Sequence, residues 1–177
     1  AFDGRSLKRS FLRQPVEFSR ISSGFQAARM HPILKYTREH KGVDFAAPIG
    51  TKVRSSGDGV IEFIGQQRGY GNVIVVRHRN DITTLYAHLH GFASDLSVGT
   101  RVAQGEVIGY VGATGMATGP HLHYEFMIGG ENVNPLTIAM PGSAPLDKSE
   151  MKRFTAQADS LRMRLAQLDG VKLARFE

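Results

Sequence analysis

The sequence predicts a mainly β fold: a compact antiparallel β-sheet core of the barrel-sandwich, duplicated-hybrid type, followed by a C-terminal α-helix. Two observations carry the β part. Short runs rich in Val, Ile, Phe and Tyr recur at Gly59–Ile64, Asn72–Val76, Ile82–Tyr86, Glu106–Val111 and His121–Ile128, and branched and aromatic side chains favour strands. Glycines punctuate these runs, as turns between short strands require. A third observation gives the helix. Met151, Phe154, Ala158, Leu161, Leu165 and Leu168 recur at three- and four-residue steps, the period of one face of a helix of about five turns.

Taken in order, residues 1–20 are basic and weakly periodic and read as a linker or docking arm. Residues 21–140 hold the β domain. Within it, Val98–Gly109, and likewise Gly50–Val53 with Gly57–Val60, resemble the turn-strand pattern of biotinyl and lipoyl carrier domains; that likeness implies the barrel-sandwich core. His78, at the end of the run from Val73, reads as a surface strand residue. A strand from Thr83 to Ala87 brings His88 to its end and leaves His90 in a loop. Residues 141–177 form a linker and the amphipathic helix, with Gly170 as its expected stop.

Composition narrows the classes. A chain of 177 residues can build one domain with a real core. It has no cysteine, so neither disulfides nor thiolate metal sites are available. No apolar run approaches the ~20 residues of a membrane span, and no signal peptide opens the chain; the start at Ala1 without methionine suggests a processed or trimmed fragment, so that any anchor or export signal would fall outside it. The formal net charge of +6 favours an anionic partner. The basic residues are scattered and no aromatic-basic motif accompanies them, which argues against nucleic acid; an anionic cell-wall polymer fits better.

The chemistry concentrates in histidine. His121 and His123 flank one residue in a run that alternates polar and apolar, so on a strand His121, His123 and Glu125 share a face, with Leu122, Tyr124 and Phe126 opposite. Same-face neighbours sit ~6–7 Å apart, so one imidazole can ligate a metal while the other reaches only water or substrate beside it. Upstream, Val43 and Phe45 look core-facing, which turns Asp44 towards the site. A short loop at Lys41 and Gly42 lets His40 fold back beside it. A hydrolytic zinc needs three protein ligands and an open position, and this set supplies three with two histidines to spare.

His40-x-Gly-x-Asp44, Tyr86-Ala-His88-Leu89 and Thr118-Gly-Pro-His121-Leu-His123 resemble the signature of the lysostaphin-type (LytM-like) zinc endopeptidases. The likeness runs from about Arg20 to Pro135 and includes Ala47-Pro48, Gly57–Val60, Gly69–Asn72 and Asn134-Pro135. It implies a Zn2+ cofactor held by His40, Asp44 and His123, with His88 and His121 as the catalytic histidines. Two neutral imidazoles and one carboxylate leave the zinc a net charge of about +1, enough to acidify water towards neutral pH. No His-Glu-x-x-His helix supplies a carboxylate base, so an imidazole, with an ordinary pKa of ~6.5, takes that role. His121 is the preferred base and His88 the preferred oxyanion donor, although the residues alone do not separate them. Glu125 either orients an imidazole or is a salt-bridged strand residue. His31 resembles a position at the lip of the family's groove; Tyr70 and Asn72 either line that groove or form a plain hairpin turn.

The implied activity is hydrolysis of peptide cross-links in bacterial peptidoglycan. The approach through Ser19–Phe25 and Arg29–Ile33 looks closest to Gram-negative murein DD-endopeptidases of this family, whose substrate is the D-alanyl–diaminopimelate bridge. Such an enzyme works in the periplasm or cell envelope, with any membrane anchor or N-terminal regulatory domains carried by a longer chain. Two alternatives belong to other classes. A catalytically inactive relative that binds wall and activates another hydrolase would lack part of the metal set, which this chain has in full. A biotin or lipoate carrier would display a lysine at a hairpin tip between the matching halves, and none is evident there.

Overall fold

A computed structural model describes residues 10–17, 19–30, 37–140 and 148–173. Twelve strands precede one helix among them: β1 (Arg20–Ser23), β2 (Gln26–Met30), β3 (Thr37–His40), β4 (Val43–Ala46), β5 (Lys52–Arg54), β6 (Gly59–Gln67), β7 (Gly71–Arg77), β8 (Ile82–Phe92), β9 (Arg101–Val102), β10 (Val107–Val111), β11 (His121–Ile128), β12 (Glu131–Val133) and α1 (Lys148–Leu173). The chain divides into two units, Ser10–Met140 and a second comprising Ala1–Arg9 with Pro141–Glu177.

The first unit is an antiparallel β structure. Its main sheet runs β1-β4-β11-β8-β7-β6-β9, with β10 pairing both β5 and β8, and β12 pairing β11; β2 and β3 form a separate hairpin. Every strand expected between Gly59 and Ile128 is present. The alternation in β11 is real: Leu122, Tyr124 and Phe126 are fully buried and join Val43, Phe45, Ile74, Tyr86 and Leu89 in one core. Burying side chains of this size stabilises by roughly 1.5–3 kcal/mol each. Phe11 and Val16 pack into the same core, and the Arg13 guanidinium donates to the carbonyls of Pro135 (2.9 Å) and Ile138 (2.7 Å).

A buried polar chain ties the two central strands together. Ser56 Oγ lies 2.7 Å from the Tyr86 hydroxyl and 2.8 Å from that of Tyr124, and the Tyr86 hydroxyl meets Thr84 Oγ1 at 3.0 Å. Thr84 Oγ1 in turn sits 2.8 Å from His78 Nε2, while His78 Nδ1–H donates to the Asp58 carbonyl at 2.9 Å. His78 is therefore buried, at 7% exposure, not the surface residue its sequence suggests. The Phe11 ring, edge-on at 5.0 Å, covers it from a part of the chain remote in sequence. His90 also departs from expectation: it lies within β8, which continues to Phe92.

In the second unit α1 runs from Lys148 to Leu173. Ala, Leu, Met, Arg, Gln and Lys dominate it, all good helix formers, and Glu150 in its first turn complements the helix dipole. The helix passes through Gly170 instead of stopping there; one glycine costs only about 1 kcal/mol relative to Ala, and its neighbours carry the helix on. Met151, Phe154 and Ala158 are half-buried, whereas Leu161 and Leu165 are 54% and 61% exposed, so the apolar stripe is only partly covered. No helix of the described residues is long and apolar enough to cross a membrane.

Candidate metal centre and groove

The site grows from the pairing of β4 with β11. The register sets His123 opposite Asp44 and His121 opposite Ala46. His40, at the end of β3, returns to the same place because the turn at Lys41-Gly42 lies hard against β11. A Cβ on Gly42 would collide with the Tyr124 carbonyl oxygen and come within 2.9 Å of His123 Cε1 and 3.0 Å of Glu125 Cγ. Glycine is required here by space.

Three ligand-type atoms converge. His40 Nε2 lies 3.1 Å from Asp44 Oδ1 and 3.3 Å from His123 Nδ1, and His123 Nδ1 lies 2.8 Å from Asp44 Oδ1. A tetrahedral zinc with bonds of ~2.0–2.1 Å needs ligand atoms about 3.3 Å apart, so small outward shifts make the triangle fit. Among the described residues this is the group that could hold a metal ion. The other ring nitrogens are already committed. His40 Nδ1–H donates to the Gly24 carbonyl at 2.7 Å, and His123 Nε2–H donates to Glu125 Oε1 at 3.0 Å. In the neutral tautomers that follow, a lone pair faces the centre from each imidazole.

Glu125 is 3% exposed and fully engaged. The Tyr70 hydroxyl donates to Oε1 at 2.7 Å, and Asn132 Nδ2 donates to Oε2 at 2.8 Å. Burial raises the Glu125 pKa, but the hydrogen bonds from His123, Tyr70 and Asn132 outweigh it and hold the carboxyl below its ordinary range. Asp44 behaves alike, with burial overcome by His123, His40 and His121. Burial also opposes charge on His123, yet the bonds to Asp44 and Glu125 raise its pKa to about 9. Carboxylates at both ring nitrogens thus make this position one that favours a cation.

His88 and His121 stand beside the triangle, their rings 4.7 Å apart, and His121 Nε2 lies 3.8 Å from Asp44 Oδ1. His88 reaches the site through a break in the sheet. Simple alternation would send it inward with Tyr86. Between the pairs Asn72↔Leu89 and Ile74↔Tyr86, β8 carries one residue more than β7, and His88 takes φ 59°. This left-handed bulge returns Leu89 to the core and turns His88 out to the groove. A clasp holds it there: Asn72 N–H donates to Thr114 Oγ1 (2.9 Å), Thr114 Oγ1 to the Leu89 carbonyl (2.9 Å), and His88 Nδ1–H to the Thr114 carbonyl (2.8 Å). His121 Nδ1–H donates to the Gly119 carbonyl at 2.8 Å. Both neutral imidazoles therefore offer Nε2 as a proton acceptor. Burial, then the nearby His121 and His123, lowers the His88 pKa.

The five residues picked out in the sequence, His40, Asp44, His88, His121 and His123, thus line one groove of about 340 Å³, with Arg68, Gly69, Tyr70, Met116 and Thr118. Tyr70 faces it, whereas Asn72 turns its amide back to the Leu89 and His90 carbonyls. His31 lies outside the described residues. Sequence reading did not single out Asn132, Thr114 or Arg68; none stands in a motif of catalytic residue types, and only tertiary pairing brings them to the site.

Residues 38–135 match peptidase family M23, and the chain belongs to that family. It is 48% identical over 171 residues to a DD-carboxypeptidase/endopeptidase, Mpg, of Neisseria meningitidis serogroup B, covering 96% of this chain and 39% of the relative. The crystal structure of a zinc containing peptidase from Vibrio cholerae superposes with a TM-score of 0.70 at 37% identity, over 80% of this chain and 46% of that one. The catalytic domain of lysostaphin from Staphylococcus simulans gives a TM-score of 0.57 at 29% identity, over 67% and 90% of the two chains. The chain thus spans about two-fifths of the length of the curated relatives it matches.

Proposed function

We infer that this chain is the catalytic portion of a zinc endopeptidase that hydrolyses D-alanyl–diaminopimelate cross-links of bacterial peptidoglycan. The observation that carries the reading is the His40–Asp44–His123 triangle with two further acceptor imidazoles beside it in one groove. Relatives named as a peptidoglycan DD-endopeptidase and a zinc containing peptidase support peptidoglycan as the substrate and zinc as the metal. The domain comprises residues 21–140, flanked by a basic arm and the C-terminal helix. Its place of work is the cell envelope, with any anchor or regulatory domains carried by the rest of a longer chain.

His40 Nε2, Asp44 Oδ1 and His123 Nδ1 would hold the zinc. When bound, zinc supplies a Lewis acid for the scissile carbonyl and for water. Glu125 fixes the His123 tautomer and orientation, as carboxylates behind metal-ligating histidines do. His121 accepts the proton of the attacking water at Nε2, beside Asp44. Its backbone-anchored Nδ1–H holds the ring in line for that transfer. The proton taken by His121 then passes to the departing nitrogen. His88, its Nδ1–H committed to Thr114, can donate to the oxyanion from Nε2 only in its protonated form.

Zinc content per chain and chelator-sensitive release of peptides from purified peptidoglycan test the reading together. Near-stoichiometric zinc, with hydrolysis abolished by chelator and restored by zinc, is expected. Full zinc occupancy in Asp44→Ala or His123→Ala would remove the ligand assignment.

A further inference from the structure

We propose that Arg68 is the residue that reads the substrate's free carboxylate next to the scissile bond. The proposal deepens the peptidase reading and rests on it. Arg68 lies in the turn between β6 and β7, is exposed, and lines the groove together with the three ligand residues and the two further histidines. Among the described residues no lysine or second arginine lines that groove. The other titratable residues lining it are the histidines, Asp44 and Tyr70. Among the described residues no carboxylate pairs with Arg68, although Arg54 and Arg77 both have such partners.

The turn that carries Arg68 is held firmly. Met116 N–H donates to the Gly69 carbonyl at 2.8 Å, and Gly71 and Gly115 pack backbone to backbone, leaving no room for a Cβ on either. The next residue but one, Tyr70, is fixed through its hydroxyl to Glu125. A guanidinium with no carboxylate partner among the described residues therefore stands on a firmly held edge of the groove. A planar fork of N–H donors in such a place suits a carboxylate.

The bond assigned to this enzyme has one nearby. In a D-alanyl–diaminopimelate bridge, the carbon bearing the scissile nitrogen also bears an unsubstituted carboxylate. A glycyl-glycine bridge inside a longer peptide has none at that position. Arg68 thus selects for an amine-side residue that ends in a free carboxylate, and penalises the same residue when that carboxyl is amidated. Cleavage itself needs no contribution from Arg68, so its loss reduces discrimination more than turnover.

The test compares cross-linked muropeptide dimers with that carboxyl free or amidated, using wild type, Arg68→Gln and Arg68→Lys, with zinc content measured for each. Wild type should prefer the free carboxylate by roughly tenfold in kcat/KM, the low end for an ionic hydrogen bond in an open groove. Arg68→Gln should cut the free-carboxylate substrate and spare the amidated one, so that the preference falls to within about twofold; Arg68→Lys should keep part of it. Equal losses on both substrates, or no preference in wild type, would overturn the proposal. Binding supplies a readout independent of hydrolysis. Acetyl-D-alanyl-D-alanine, but not its C-terminal amide, should shift the Arg68 Nε–H and Gly69 amide NMR signals of the zinc-loaded protein. Binding without cleavage of any dimer would retire the endopeptidase reading and leave the Arg68 site standing. Cleavage with no such selective shift would do the reverse.

Discussion

His123 and Glu125, two residues apart on β11, are joined side chain to side chain at 3.0 Å. The bond leaves His123 Nδ1, not Nε2, as the atom facing His40 and Asp44. Removing the carboxylate frees the ring to rotate and to change tautomer. Glu125→Ala should weaken zinc affinity by roughly 10–100-fold, read by competition with a chromophoric chelator. Glu125→Gln keeps an acceptor for Nε2–H and should lose much less. Equal affinity in wild type and Glu125→Ala would show that the triangle needs no such support.

The two remaining groove histidines separate chemistry from metal binding. His88→Ala and His121→Ala should each keep a full zinc complement yet lose turnover by on the order of 10²–10⁴-fold, the scale for a general acid or base. Metal analysis beside kcat decides this. A variant that loses zinc in proportion to activity would make that histidine a ligand.

Gly42 couples the fold to the site. The collision of an added Cβ with the Tyr124 carbonyl, and its approach to His123 and Glu125, forces the His40 turn away from β11. Gly42→Ala should lower stability by about 1–3 kcal/mol, the cost of overpacking, and should weaken zinc binding as well. Unchanged denaturation and zinc titration curves together would contradict the close packing.

His78 gives stability a pH dependence away from the metal. Burial lowers its pKa below the ordinary 6.5, against the opposing pull of the Asp58 carbonyl. The unfolded chain therefore takes up the proton first as pH falls. Stability from neutral His78 is fully present above about pH 6.5 and is lost as pH falls through that value towards the folded pKa. The zinc-free protein should lose stability through this group as the pH falls from about 7 to about 5, and His78→Gln should flatten that part of the curve. An identical pH profile in the variant would exclude His78 as its source.

Local pattern placed His121, His123 and Glu125 on one face, because alternation belongs to the strand itself, and β11 keeps it without a break. His88 was legible only through its motif. Alternation would have sent it into the core, and the bulge that turns it to the groove depends on pairing with β7. His78 misleads for the same reason: Phe11 and Asp58, which cover and bind it, are distant in sequence. Strands as short as β5 and β9 carry too few residues for a period to show. Tyr70 and Asn132 meet at Glu125 only because β11 pairs β12 and the β6–β7 turn folds over it.

The bond that is cut defines this enzyme. A purified muropeptide dimer cross-linked through D-alanine to diaminopimelate, incubated with zinc-loaded protein and analysed by mass, tests it most directly. Two monomers are expected, their masses summing to the dimer plus one water, split at the D-alanyl–diaminopimelate amide, with no product after chelation. An intact dimer in the presence of one zinc per chain, or cleavage at another bond, would contradict it.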